Sequence, residues 1–224
     1  MAGPPDTDPE FERALAALDV SLFDHVRSQT APRDRLALLA LHNACREVYG
    51  TFRYLEIGSH RGGSLQVLIR DPRCVEIVSI DARPAVVPDD LQGPVEYRGN
   101  TTERMLDHLR SVPGADLEKL RTFDASTADL DGVGHFHPQL CFVDGEHTHE
   151  AALRDARFCL RVMGDGAIAF HDCGVVQSAI EEFLADLEPG SYTSFELPRS
   201  VRIVEVGQER LGPRVRELVA AAAL

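Results

Sequence analysis

The segment Tyr54-Leu-Glu-Ile-Gly-Ser-His-Arg-Gly-Gly-Ser64, continued by Val75-Glu-Ile-Val-Ser-Ile-Asp81, decides how the chain is read. An apolar strand runs into Glu56, glycines stand at Gly58, Gly62 and Gly63, and a second apolar strand closes on Asp81. Glycines at a strand-to-helix turn let the backbone bend sharply and approach a ligand closely. An acid at the end of the next strand can accept hydrogen bonds from ribose hydroxyls. The pattern points to a bound nucleoside. A tight turn without a ligand is the simpler reading of a glycine cluster alone, but Asp81, 23 residues after Gly58, favours the ligand.

The dinucleotide fingerprint G-x-G-x-x-G, counted from Gly58, requires glycine at position 60, where this chain has His60. A side chain there obstructs a pyrophosphate, so NAD is disfavoured. The spacing E-x-G-x-x-x-G-G-S from Glu56 to Ser64 instead resembles the first motif of class I S-adenosylmethionine methyltransferases. That resemblance implies cofactor contacts from Glu56, Gly58, Ser59, Gly62, Ser64 and Asp81. A carboxylate such as Glu56 also suits a cationic ligand better than an anionic one.

Composition narrows the partners. The length of 224 residues suits one domain, and 44% hydrophobic with 26% charged residues is ordinary for a globular chain. A net charge of −13 argues against nucleic acid or an anionic membrane surface, which need basic patches, and favours a small-molecule acceptor. No basic-then-apolar leader opens the chain and no apolar run approaches the ~20 residues of a membrane span, so a cytoplasmic location is expected. Self-association is left open. The cysteines, at 45, 74, 141, 159 and 173, form no C-x-x-C pair, which argues against a disulfide framework or structural zinc site. Packing is the expected role even for Cys173.

From residue 52 onward short apolar runs alternate with helical stretches, the signature of an α/β fold: a Rossmann-like, doubly wound, mostly parallel sheet. Strands are expected at 53–57, 75–80, 121–124, 139–143 and 166–170, with helices near 62–70, 101–112, 148–162 and 175–187. Val95 to Arg98 reads as an additional short strand. Tyr192–Leu197 and Ser200–Val206 flank Pro198-Arg199 as a C-terminal antiparallel hairpin, followed by a surface helix from Arg214 to Ala223. Residues 1–9 read as a disordered tail. Residues 10–50 read as an N-terminal helical cap, with helices from Phe11 to about Arg27 and Ala31 to about Val48, that covers the sheet or forms part of a lid. Residues 51–224 form the Rossmann-like core of the same single domain.

Two further stretches carry chemistry: Leu140-Cys-Phe-Val-Asp144-Gly-Glu-His147-Thr-His149-Glu and Gly166-Ala-Ile-Ala-Phe-His171-Asp172-Cys. In open parallel sheets ligands bind beyond the carboxyl ends of the strands, so Asp144, His147, His171 and Asp172 should converge in one crevice. Two carboxylates so close repel unless protonated or bridged by a cation. Oxygen ligands favour Mg²⁺ or Mn²⁺, and His171 adds nitrogen character. His147, three residues after Asp144, suits the role of general base for a hydroxyl. Helix capping is the alternative for Asp144 and Asp172, and an ordinary hydrogen-bonded histidine is the alternative for His171. His149, His135 and His137 read as exposed residues, Arg104 as an exposed helical charge, and Arg154 with Asp155 as a helix-surface pair.

Asp-Gly-Glu-His-Thr-His-Glu, then Leu153-Arg-Asp155, then Gly-x-x-x-Phe-His-Asp resembles the macrocin O-methyltransferase and cephalosporin-hydroxylase-like group of class I methyltransferases, methyltransferase family 24. The resemblance covers roughly residues 50 to 187. It implies that Asp144 and Asp172 bind a divalent metal, with His171 beside them, and that His147 with Asp144 carries catalysis. It also places Asp124, Ser126 and Asp144 with the cofactor-binding residues. The antibiotic-modifying members carry an acid where this chain has His171, a departure that bears on which metal is held. The expectation is metal-assisted O-methylation of a small hydroxylated molecule, a sugar or secondary metabolite. A non-catalytic S-adenosylmethionine-binding partner subunit and a metal-dependent hydroxylase-associated protein fit the same scaffold.

Overall fold

The computed structural model describes residues 8–197, 201–208 and 210–222. Nine strands are labelled in chain order: β1 Phe52–Ile57, β2 Cys74–Ile80, β3 Val86–Val87, β4 Val95–Glu96, β5 Leu120–Phe123, β6 Leu140–Val143, β7 Gly166–Phe170, β8 Tyr192–Leu197 and β9 Val201–Val206. The helices are α1 Pro9–Ala16, α2 Pro32–Tyr49, α3 Gln66–Arg70, α4 Thr102–Arg110, α5 His149–Val162, α6 Gln177–Ala185 and α7 Gly212–Ala222. A seven-stranded sheet runs β5-β2-β1-β6-β7-β9-β8, parallel from β5 to β7 and antiparallel at β9 and β8. The Rossmann-like sheet and its C-terminal antiparallel pair are therefore as the sequence indicates.

The alternation of side chains along each strand builds two cores. Phe52, Tyr54, Leu140, Phe142, Ala167 and Ala169 pack on one face with helices α1 to α4 and α7, while Leu55, Ile57, Cys141, Val143, Ile168 and Phe170 pack on the other with α5 and α6. Burial on both faces explains why these strands read as continuous apolar runs. The chain order reverses between β1 and β6, and this opens the crevice in which the charged strand ends meet.

The N-terminal helix is shorter than its periodicity suggests. It ends at Ala16, Leu18 turns left-handed (φ 52°), and Asp19 caps a separate 3-10 turn, Val20–Phe23, by accepting from Ser21 N. Residues 24–31 then leave helical structure, and Arg27 to Thr30 form part of a cavity wall while α2 covers the sheet. Asp8 caps α1 and Pro9 belongs to it, so this end of the expected tail is ordered; residues 1–7, the hairpin residues 198–200 and Ala223 lie outside the described residues. The expected strand at Val95–Arg98 is only Val95–Glu96, paired with Val86–Val87 in a small separate sheet. Among the described residues no helix is long and apolar enough to cross a membrane.

The expected helix at 62–70 is regular only from Gln66. The buried Gln66 side chain explains how the preceding turn is held: Nε2 donates to the carbonyls of Phe23 and Val26 at 2.9 Å and of Gly63 at 2.7 Å, and Oε1 accepts from Val26 N at 2.7 Å. One amide thus fastens the N-terminal segment to the glycine turn. Gln66→Leu leaves several buried backbone groups unsatisfied, at about 1–3 kcal/mol each. Urea unfolding should show a loss of at least ~2 kcal/mol; a loss below ~0.5 kcal/mol would show that the amide is not the fastening.

Candidate active site

The peptide that opens the turn after β1 is held on both sides by neighbouring strand ends: Gly58 N donates to Ile80 O and Asp144 N to Ile57 O, each at 2.9 Å. Gly58 has φ +91°, and a Cβ at this position would collide with the Asp144 carbonyl. Glycine is therefore required by both conformation and contact. A Cβ on Gly63 would lie 2.6 Å from Ser28 Cβ, so this glycine admits the N-terminal segment.

Asp81 pins the turn from the side. It accepts from His60 N at 2.8 Å and Arg83 N at 2.7 Å, and Arg83 Nη1 stands 3.2 Å away. Arg83 Nη1 also bonds the His60 carbonyl and reaches Asn100 Oδ1 at 3.0 Å. His60, itself left-handed at φ 44°, packs edge-on against Tyr97 with ring centroids 4.8 Å apart. Burial, helped by Arg61, holds its imidazole below the ordinary histidine value.

A cavity of about 480 Å³ opens over these strand ends, a size typical of small-molecule sites. Its wall includes Gly58, Ser59, Ser64, Asp81, Ser126, Asp144, His147, His171 and Asp172. The sequence therefore names many of the groups that meet there. Three expected cofactor contacts, Glu56, Gly62 and Asp124, do not reach the wall. Glu56 shares the Tyr54 face of β1 and is fully buried, accepting from Tyr54 Oη and Ser64 Oγ at 2.6 Å each. It braces the turn from beneath. Gly62 faces α4, where a Cβ would lie 3.0 Å from the Leu109 side chain. Asp124 is exposed, accepting from Thr102 Oγ1 and standing 3.9 Å from Arg83 Nε.

The opposite end of the cavity holds the charged groups. His171 Nδ1 lies 2.9 Å from Asp144 Oδ1 and 3.2 Å from Asp172 Oδ2, and its Nε2 is 3.5 Å from Asp34 Oδ2 on α2. His147 Nε2 faces Asp144 Oδ1 at 3.6 Å and Asp172 Oδ2 at 3.7 Å. Asp172 is left-handed at φ 46°, an uncommon conformation for a residue with a side chain, and one often found at functional sites. Burial works against the charged form of His171, but Asp144, Asp172 and Asp34 together push it up to about 12. Burial likewise opposes ionisation of Asp144, and His171 and His147 outweigh it, holding the carboxyl below its ordinary range. The contact with Asp144 raises His147 against its own burial.

Asp144, His171 and Asp172 each offer one ligand atom, and these atoms all lie within 4.8 Å of one another. Donors about 2.0–2.6 Å from an ion can span that separation. Both ring nitrogens of His171 lack a well-aligned hydrogen bond although they are buried. Once the Nδ1 proton of His171 is given up to a bound cation, this nitrogen and the two carboxylates that it now pairs with fit a divalent ion, with Asp34 placed behind the histidine as an outer support.

Several lining residues escaped the sequence reading. Asp155 is buried rather than on a helix surface: Thr127 Oγ1 donates to it, Arg154 Nε reaches Thr127 Oγ1 at 3.1 Å, and all three line the cavity. The Arg154–Asp155 pair is thus corrected from surface to site. Asp89 and Tyr97 join the wall from the segment between β2 and α4, brought in by contacts that no local spacing announces. His149 opens α5 half-buried and bonded to Ser178 and Glu182, while His135 and His137 are exposed, as expected, and His137 contacts Val162 O. Cys173 is half-buried and off the cavity wall, consistent with packing.

The profile of a family described as "Methyltransferase domain", methyltransferase family 24, matches residues 55–173, more than half of the chain. The chain belongs to this family of class I, S-adenosylmethionine-dependent methyltransferases. Solved structures of similar fold include the O-methyltransferase NovP (16% identical, TM-score 0.59, covering 76% of this chain and 79% of that one). The calicheamicin methyltransferase CalS11 is 15% identical with a TM-score of 0.56, covering 93% and 99%. A SAH-bound methyltransferase of Podospora anserina is 16% identical with a TM-score of 0.54, covering 93% and 100%. These identities establish the shared fold. Among curated sequences, an uncharacterized protein of Acanthamoeba polyphaga mimivirus is 22% identical over 153 residues, a match spanning 64% of this chain and 64% of that protein.

Glu56 gives the site a pH signature in stability. Burial, with Asp144 nearby, raises its carboxyl from 4.5 to about 7 against the opposing hydrogen bonds from Ser64 and Tyr54. A carboxyl raised on folding stabilises the fold fully below its unfolded value near 4.5, and this contribution is lost as pH rises through about 7. The effect is on the order of 3 kcal/mol. Glu56→Gln should therefore flatten the decline in urea-unfolding free energy between pH 4.5 and 7.5 by about that much. An unchanged pH slope in the variant would show that Glu56 is ionised in the fold.

Proposed function

We propose that this chain transfers a methyl group from S-adenosylmethionine to a hydroxyl oxygen of a small acceptor, assisted by a divalent cation. The observation that carries the reading is one cavity bounded by the Gly58 turn and Asp81 at one end and by Asp144, His147, His171 and Asp172 at the other. NovP, an O-methyltransferase of the same fold, supports oxygen as the target.

Asp81 would hold the ribose hydroxyls. Its two oxygens accept the turn's N–H groups and retain lone pairs for further donors. Ser59 and Ser126 would line the remaining cofactor surface, with Gly58 allowing close backbone approach. Asp144, His171 and Asp172 would hold the cation. When bound, such an ion supplies Lewis-acid polarisation of the acceptor hydroxyl. His147 Nε2 takes the hydroxyl proton while the acceptor oxygen bonds to the methyl carbon. The sulfur–methyl bond breaks with its electron pair left on sulfur, giving S-adenosylhomocysteine, the methyl ether and a protonated imidazole. The chain's share of the catalysis is in-line positioning and proton removal.

Isothermal titration with S-adenosylhomocysteine should show saturable binding that Asp81→Ala weakens by ~1–3 kcal/mol, the worth of hydrogen bonds to a charged group. Equal affinity in the variant would remove Asp81 from the site, and NADH binding in place of S-adenosylhomocysteine would overturn the cofactor reading. In a transfer assay against a panel of hydroxylated sugars and phenols, a chelator should abolish turnover and leave cofactor binding intact. His147→Ala should cost about 10²–10⁴-fold in rate. Cofactor binding with no transfer to any acceptor, with or without added Mg²⁺, would favour a non-catalytic subunit.

A further inference from the structure

Asp89 lies 58 positions before His147 yet faces it across the cavity wall. The two segments are joined as a short parallel bridge: Asp90 N donates to the His147 carbonyl at 3.0 Å, and Asp90 Oδ2 accepts from His149 N at 2.8 Å. Asp89 is buried and its rotamer is fixed. Oδ1 accepts from Leu91 N and Gln92 N at 2.9 Å each, and Oδ2 accepts from Gln92 Nε2 at 3.2 Å while facing His147 Nδ1 at 3.2 Å. His147 Nε2, at the far side of the ring, is buried with no hydrogen-bond partner among the described residues and points at the Asp144 and Asp172 carboxylates.

We infer that Asp89 is a positioning residue that fixes His147 as the Nδ1–H tautomer, so that the Nε2 lone pair faces the acceptor hydroxyl. The inference rests on the reading of His147 as general base. An ionised carboxylate only accepts hydrogen bonds; with Asp144 and Asp172 turned to the proposed cation, Asp89 is the carboxylate left to the ring, and it selects the imidazole form that carries its hydrogen on Nδ1. The unprotonated nitrogen is then the one in the cavity. As the acceptor oxygen bonds to the methyl carbon, its proton moves to Nε2, and the imidazolium so formed meets a carboxylate already in place and already desolvated. Asp89 itself takes no proton. The segment between β2 and α4, which is exposed at Leu91 and Val86, therefore contributes to the active site through one buried side chain.

Asp89→Asn separates orientation from packing. Asn Oδ1 can keep the bonds from Leu91 N and Gln92 N, and its amide N–H then points at His147 Nδ1, which favours the opposite tautomer. Long-range ¹H–¹⁵N spectra of histidine-labelled protein, with S-adenosylhomocysteine and magnesium chloride present and the His147 signals assigned through His147→Gln, read the tautomer directly. The expected result is Nδ1–H in the wild type and Nε2–H in Asp89→Asn, with S-adenosylhomocysteine affinity within twofold. Once an acceptor is in hand, kcat should fall about 10²–10⁴-fold with KM unchanged. If Asp89→Asn fails to fold, Asp89→Ala should give a mixture of both tautomers. Nε2–H or a doubly protonated ring in the wild type, or an unchanged tautomer in the variants, overturns the inference. Absence of S-adenosylhomocysteine binding by the wild type would instead defeat the proposed function, whatever tautomer is found.

Discussion

The rest of the site depends on the close approach of two strand ends at the point where the sheet reverses its winding. Gly58 comes so near the Asp144 carbonyl that no side chain fits, and the flanking bonds from Gly58 N to Ile80 O and from Asp144 N to Ile57 O hold three neighbouring strand ends together. That contact places the glycine turn and Asp81 on one side of a crevice and the charged residues after β6 and β7 on the other. Under the proposed function, a methyl donor and an acceptor on these two sides would be brought face to face by backbone geometry, before any side chain contributes.

The charged side is arranged so that each group is compensated only in part. Asp144, Asp172 and Asp34 surround His171, and Asp144, Asp172 and Asp89 surround His147, so that the two imidazoles share carboxylates. Buried charge is tolerable when paired, and the two imidazoles hold the Asp144 carboxyl below its ordinary range in spite of its burial. Yet the ring nitrogens of His171 and Nε2 of His147 keep no well-formed hydrogen bond. Native structures leave few such groups unsatisfied, and unsatisfied ones cluster where a ligand, ion or reacting atom is received.

The sheet was legible because parallel strands buried on both faces leave uninterrupted apolar runs, as Leu140–Val143 and Gly166–Phe170 do. The residues at the strand ends were legible because the fold sends them all to one crevice. The glycine motif alone directs Glu56 to the cofactor, but the two-residue period of its strand puts Glu56 on the same face as Phe52 and Tyr54, away from the cavity. The break after Ala16 turns on a left-handed Leu18, which apolar periodicity does not register. Gln66, Asp89 and the Thr127–Asp155 pair act through contacts 28 to 58 positions distant in the chain, for which local spacing carries no signal.

The central claim, that one crevice binds the nucleoside and a cation side by side, is tested most directly by anomalous diffraction. Crystals grown with S-adenosylhomocysteine and Mn²⁺ should show a single strong manganese peak among Asp144, His171 Nδ1 and Asp172, with the ribose hydroxyls on Asp81 and the thioether sulfur directed toward the metal. S-adenosylhomocysteine seated on Asp81 with no manganese peak at those residues, or manganese bound with the nucleoside elsewhere, would contradict it.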